Sequence, residues 1–124
     1  MKHTLDNHTQ TLSLVIPGDI SSTNADALRT EIFTILESEI ISRANWDTLQ
    51  LDLRAANMID SMGLNLLVSI IKFARIRESK IVGLIASQNV QRALCFTRLN
   101  TQMELITAYP PLPPCADTEK SQRA

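Results

Sequence analysis

The chain has 124 residues, 12 basic against 13 acidic, and is 44% hydrophobic. That length suits one domain with a proper core, and balanced charge without a basic block or interleaved aromatics argues against direct DNA or RNA binding. No apolar run approaches a membrane span, and the first residues, Met-Lys-His-Thr-Leu-Asp-Asn-His, lack the apolar stretch of a signal peptide, so the expected location is the cytoplasm, without membrane insertion.

Residues 3–8 are a candidate first strand, with Asn7-His8 in the turn that follows. Thr11-Leu-Ser-Leu-Val-Ile16 alternates and places Leu12, Leu14 and Ile16 inward. Pro17-Gly18 ends that strand. Asp19 to Asn24 is a polar connection into a helix, where Thr23 and Asp26 fit a capping box with Asp in place of Glu or Gln. The helix is expected from about Asn24 to Ile41, with Ala25, Leu28, Ile32, Ile35 and Leu36 along one side. Trp46, in the following loop, is expected to pack over the core edge.

Leu49, Leu51 and Leu53 mark the next strand. A second helix then runs from Ser61 to Glu78, burying Leu64, Leu67, Val68, Ile71 and Ala74. Met62, Leu66, Ile70 and Phe73 form another apolar line. Either the helix has a broad buried face, or Met62 and Leu66 stay exposed for a protein partner. Lys80 to Ala86 reads as a strand and Ser87 to Phe96 as a short helix with Val90 and Leu94 inward. Leu99 and Leu105-Ile106 close the core, the latter pair as an edge strand.

This alternation predicts an α/β fold with a largely parallel sheet and an N-terminal antiparallel edge strand. Polar Ser13, Gln50, Asp52 and Arg54 on the off-face put the helices mainly on one face. The domain is expected over residues 1–107. From Ala108 the composition changes: Tyr109-Pro-Pro-Leu-Pro-Pro114 favours polyproline II, and residues 108–124 read as a mobile tail ahead of a proline-motif ligand.

Little catalytic chemistry is available. Two cysteines, Cys95 and Cys115, make no disulfide framework; the tail could reach, but a reduced pair is the simpler expectation. His3 and His8 have no Cys or acid at ligand spacing, so no metal is expected. A serine nucleophile needs a base and an orienting acid, and no Gly-x-Ser-x-Gly elbow surrounds Ser61. Gly18, Gly63 and Gly83 are too scattered for a phosphate loop. No independent enzyme and no cofactor are expected.

What remains is Asp60-Ser61 at the start of a helix. Ser61 is either a plain N-cap or a modification site. A phosphate adds about −1.5 to −2 charges. The positive end of the helix dipole tolerates it, while Asp60 repels it. The fold should then change little, whereas a partner matched to a neutral hydroxyl would have to bury an unpaired dianion.

Ile59-Asp60-Ser61-Met62-Gly63-Leu64 resembles the Asp-Ser-x-Gly-Leu signature of STAS domains, the family of bacterial anti-sigma factor antagonists. The similarity runs from about Thr11 to Ile106 and includes Gly18-Asp19-Ile20; the sequence departs from the family at Met62 and Asn65. The resemblance implies a STAS fold and an anti-sigma factor antagonist. Its partners would be an anti-sigma factor serine kinase, bound in the unphosphorylated form and released once it phosphorylates Ser61, and a serine phosphatase that resets the switch. It also implies a contact surface of Asp19, Ile20, Ser21, Ser22 and Asn24 with Asp60, to which Met62 and Leu66 would add apolar area. STAS-like domains also serve as soluble accessory subunits of ABC-type transport or lipid-trafficking complexes, which is the alternative. The oligomeric state stays open.

Overall fold

A computed structural model describes residues 2–107, so the tail expected from Ala108 lies outside the described residues. Strand β1 (Lys2–Asp6) pairs antiparallel with β2 (Thr11–Val15), Lys2 opposite Val15 and Asp6 opposite Thr11. The Asp6 carboxylate closes the turn by accepting the His8 N–H at 2.9 Å. Next to β2 lie β3 (Thr48–Asp52), β4 (Lys80–Ile85) and β5 (Glu104–Thr107), all parallel, so the spatial order of the strands is their order in the chain. Parallel neighbours require long crossovers. Helices α1 (Ala25–Glu37) and α2 (Glu39–Arg43) supply the first, α3 (Ser61–Ile76) the second, and α4 (Gln88–Phe96) with a 3₁₀ turn (Leu99–Thr101) the third.

Register explains the single covered face. Leu12, Leu49 and Ile81 form one row and Leu14, Leu51 and Gly83 the next, and the side chains of the four leucines and Ile81 are buried in the core with Leu28, Ile32, Leu67, Ile71, Val90 and Leu94 from the helices. The opposite face carries Ser13, bonded to Gln50 at 3.3 Å, and Asp52, paired with Arg54 at 2.7 Å. This is the polar off-face that the sequence predicts. Apolar side chains reach that face as well: Val15 from β2, Val82 and Leu84 from β4, and Ile106 from β5.

The first helix is not continuous. Ser38 adopts extended backbone (φ −62°, ψ 149°) and its hydroxyl caps α2 by accepting the Ile41 N–H. A periodic apolar line does not reveal such a break, because the new helix restarts on the same side and buries Ile41. The capping box at Thr23 is also absent. The N-cap of α1 is Asn24, whose side chain bonds elsewhere. At its far end α3 stops two residues early, where Glu78 takes a left-handed conformation (φ 61°) and the Ser79 N–H reaches the Ala74 carbonyl. Cys95 is buried on α4 and is not a free thiol, against the reduced pair expected; Cys115 lies outside the described residues.

Trp46 packs as expected. It is buried, its indole N–H donates to the Ile41 carbonyl at 2.8 Å, and the Arg77 guanidinium lies 3.8 Å above its ring. Arg77 also donates to the carbonyls of Ser42 and Ala44, satisfying the end of α2 from the end of α3. Replacing Arg77 with Met keeps the stem but removes these bonds and the cation–π contact. The expected cost is about 1–3 kcal/mol in denaturant unfolding; an unchanged midpoint would show that Arg77 is a surface ornament.

Candidate functional site

The strands β2 and β3 end together, and the loops that leave them stay together. Ile16 N–H donates to the Asp52 carbonyl at 3.0 Å. Four residues on, Ile20 and Ile59 form an isolated parallel bridge: the Ile20 N–H donates to the Met58 carbonyl at 3.3 Å, and the Asp60 N–H donates to the Ile20 carbonyl at 3.1 Å.

Two carboxylates tie the loops in opposite directions. Asp19 in the first loop accepts the N–H groups of Asn57 (2.6 Å) and Met58 (3.2 Å) in the second. Asp60 in the second loop accepts the Ser22 N–H of the first at 2.9 Å through Oδ2. With Oδ1 it accepts the Gly63 N–H at 3.0 Å and so caps α3. Asn24 braces the first loop from within, donating to the Asp19 carbonyl and accepting the Ser21 N–H, both at 2.8 Å. The Ser87 hydroxyl, which caps α4, donates to the Asn57 carbonyl at 3.2 Å and anchors the second loop from a third side.

Ser61 is the first residue of α3, one position after the cap. Its side chain is exposed, and its hydroxyl makes no hydrogen bond among the described residues. The capping task falls to Asp60 alone, so the reading of Ser61 as a plain N-cap is set aside. Beside the free hydroxyl stand two exposed thioethers, Met58 (49% exposed) and Met62 (41%). Met58 was not among the residues singled out from sequence; an apolar residue in the connection just before Asp60 was the available signal.

Two expected contact residues are not at the surface. Leu66 is 1% exposed, because α3 is wedged between α1 and the sheet and buries both its apolar lines, Leu67 and Ile71 on one and Leu66 and Ile70 on the other. Ile20 is fully buried, its side chain lying against the first turn of α3. It offers the site only its backbone. Asp19 and Ser22 are exposed, Ser21 and Asn24 half-buried, and they share one rim with Ser61.

Electrostatically the mouth holds a stable anion. Donation by the Gly63 N–H, and next by the Ser22 N–H, keeps the Asp60 carboxyl below its ordinary 3.8. A depressed folded pKa adds stability that is fully present above about 3.8 and is lost as pH falls through the lower folded value. Asp60→Asn should therefore lower the melting temperature at pH 7, and the difference from wild type should shrink as both are acidified toward about pH 2. A constant difference across that range would show that the charge is irrelevant. Near Ser61 there is no histidine: His3 lies in β1 and His8 in the turn after it. Among the described residues no group of three or more metal-ligating side chains occurs, and no helix is long and apolar enough to cross a membrane.

Comparison with known proteins agrees with this architecture. The STAS domain family model matches residues 3–109, so the chain belongs to that family. An anti-sigma factor antagonist from Mycobacterium paratuberculosis superposes with a TM-score of 0.64 at 20% identity, covering 99% of this chain and 94% of that one. The anti-sigma factor antagonist SpoIIAA in its unphosphorylated form gives 0.64 at 15% identity, with coverage of 98% and 96%. At such identities the likeness is one of fold. Among curated proteins none matches the sequence significantly.

Proposed function

We propose that this STAS domain is an anti-sigma factor antagonist that docks an anti-sigma factor serine kinase while Ser61 is unmodified, and that phosphorylation of Ser61 by that kinase ends the interaction. The observation that carries this reading is the free, exposed Ser61 hydroxyl on a rigid helix mouth, flanked by exposed Met58 and Met62. A hydroxyl spent on capping would not be available to a kinase; here Asp60 has taken that task. Both Asp60 oxygens are occupied by backbone N–H groups, so it serves as scaffold more than as a base for Ser61 chemistry.

The partner surface on this reading is the joint rim: Asp19, Ser21, Ser22 and Asn24 from one loop, Met58, Asp60, Ser61 and Met62 from the other. A serine phosphatase would reset the switch. The test is affinity purification from the native cell with wild-type, Ser61→Ala and Ser61→Asp baits. Capture of a serine kinase by the first two and not by the third supports the proposal. Equal capture of a transport ATPase by all three overturns it and favours an accessory transport subunit.

A further inference from the structure

Helix α4 buries more than its core line. Val90 and Leu94 pack into the hydrophobic core. Gln91 and Cys95 form a second line, about 100° further round the same helix. Both are buried, Gln91 at 7% exposure and Cys95 at 9%. Yet Cys95 is not part of the core cluster that holds Val90 and Leu94. A buried glutamine and a buried cysteine four residues apart, off the core line, mark a face that something besides the core covers.

The chemistry of Cys95 identifies the cover. Its sulfur is in a disulfide, and Cys115 is the only other cysteine in the chain. Gln91, one turn before it, is not free either. The reach is sufficient. From Thr107 at the end of β5 to Cys115 is eight residues, about 25 Å at the polyproline II rise of 3.1 Å. The nine residues of α4 span only about 14 Å, and α4 belongs to the crossover that delivers the chain into β5.

We propose that residues 108–115 of this chain dock on the Gln91–Cys95 face of α4, fastened by a reversible disulfide between Cys95 and Cys115. The segment suits that face. Pro110, Pro111, Pro113 and Pro114 have no backbone N–H, so they bring carbonyl acceptors to the two N–H donors of the Gln91 amide. Their fixed φ angles also reduce the entropy lost on docking. The bond closes by exchange with a small disulfide such as oxidised glutathione. One protein thiolate displaces a first glutathione thiol and forms a mixed disulfide, and the other displaces the second. Two protein thiols are oxidised, and one small disulfide is reduced to two thiols. The latch therefore reads the thiol–disulfide balance around the protein.

The test uses the full chain, equilibrated with mixtures of reduced and oxidised glutathione, alkylated, and digested with trypsin without reduction. Oxidising mixtures should yield one linked pair, residues 93–98 joined to residues 99–120, which disappears in reducing mixtures. Reduction should lower the wild-type melting temperature by at least about 5 °C, and the amide shifts it causes should centre on Gln91 and Cys95. Cys115→Ser should melt like reduced wild type in either mixture. The inference is overturned if no linked pair forms, if Cys95 joins the Cys95 of a second copy instead, if reduction leaves the melting temperature and the Gln91 amide unchanged, or if Cys115→Ser still responds to reduction. None of these readouts depends on Ser61, so failure here leaves the phosphorylation switch to its own test.

Discussion

On the proposed reading, Ser61→Asp should weaken binding to the proposed anti-sigma factor kinase by at least about a hundredfold, roughly 2.7 kcal/mol, while the melting temperature stays within about 2 °C of wild type. The two halves of this expectation have different causes. In the isolated domain a negative charge at the first helical position gains roughly 0.3–1 kcal/mol from the dipole. Asp60, adjacent and ionised, takes back part of that gain, and the residue is exposed to screening solvent. Ser61 is exposed and its hydroxyl makes no hydrogen bond among the described residues, so little folded structure depends on it. In a complex the same charge must leave water opposite a surface that had met a hydroxyl and two thioethers, and an unpaired buried charge typically costs several kcal/mol. Calorimetric titration and thermal melts on the same samples separate the halves. A large loss of stability in Ser61→Asp would mean that the switch works by unfolding, and unchanged affinity would mean that Ser61 lies outside the interface.

Gly63→Ala should destabilise the domain by about 2 kcal/mol, or roughly 8 °C for a chain of this size, although alanine is the better helix former. An added Cβ would lie 2.7 Å from Ile59 Cγ2, 2.8 Å from the Ile20 carbonyl oxygen and 2.9 Å from Ile20 Cγ2. That oxygen accepts the Asp60 N–H, so relief requires pushing apart the bridge that aligns both loops. Overpacking of this kind costs about 1–3 kcal/mol, against a gain of at most about 1 kcal/mol in helix propensity. Gly83 makes an instructive control. A Cβ there would lie closest to the flexible Met103 Cε, at 2.6 Å, which can turn aside, so Gly83→Ala should cost less than about 1 kcal/mol. Equal effects at the two glycines, measured by denaturant unfolding, would refute the argument from backbone approach.

The parts of this architecture that repeat were readable in the sequence. Alternating Leu12 and Leu14, then Leu49, Leu51 and Leu53, marks strands whose inward faces are buried, and the polar Ser13, Gln50 and Asp52 foretell the uncovered side. The parts that depend on one side chain reaching across space were not. Asp19 and Ser22 meet their partners 38 residues away, and no local pattern encodes that. Likewise the period-3.6 pattern places Leu66 on a helix but cannot say how wide the buried arc is. Once α3 is pressed by α1 as well as by the sheet, that arc includes Leu66 and leaves Met62 outside. Composition alone allows Ser61 to be the cap, and only the geometry assigns that task to Asp60 and leaves the Ser61 hydroxyl free.

The reciprocal carboxylate ties have a kinetic consequence for any partner. Two loops that were independently mobile would each have to be ordered at the moment of encounter, and that entropy would come out of the binding free energy. Here Asp19 and Asp60 impose the order when the chain folds, so the two rims arrive already in register. Encounter can then proceed close to rigid-body docking at ordinary diffusive rates, and modification of the surface acts mainly by shortening the lifetime of a complex already formed.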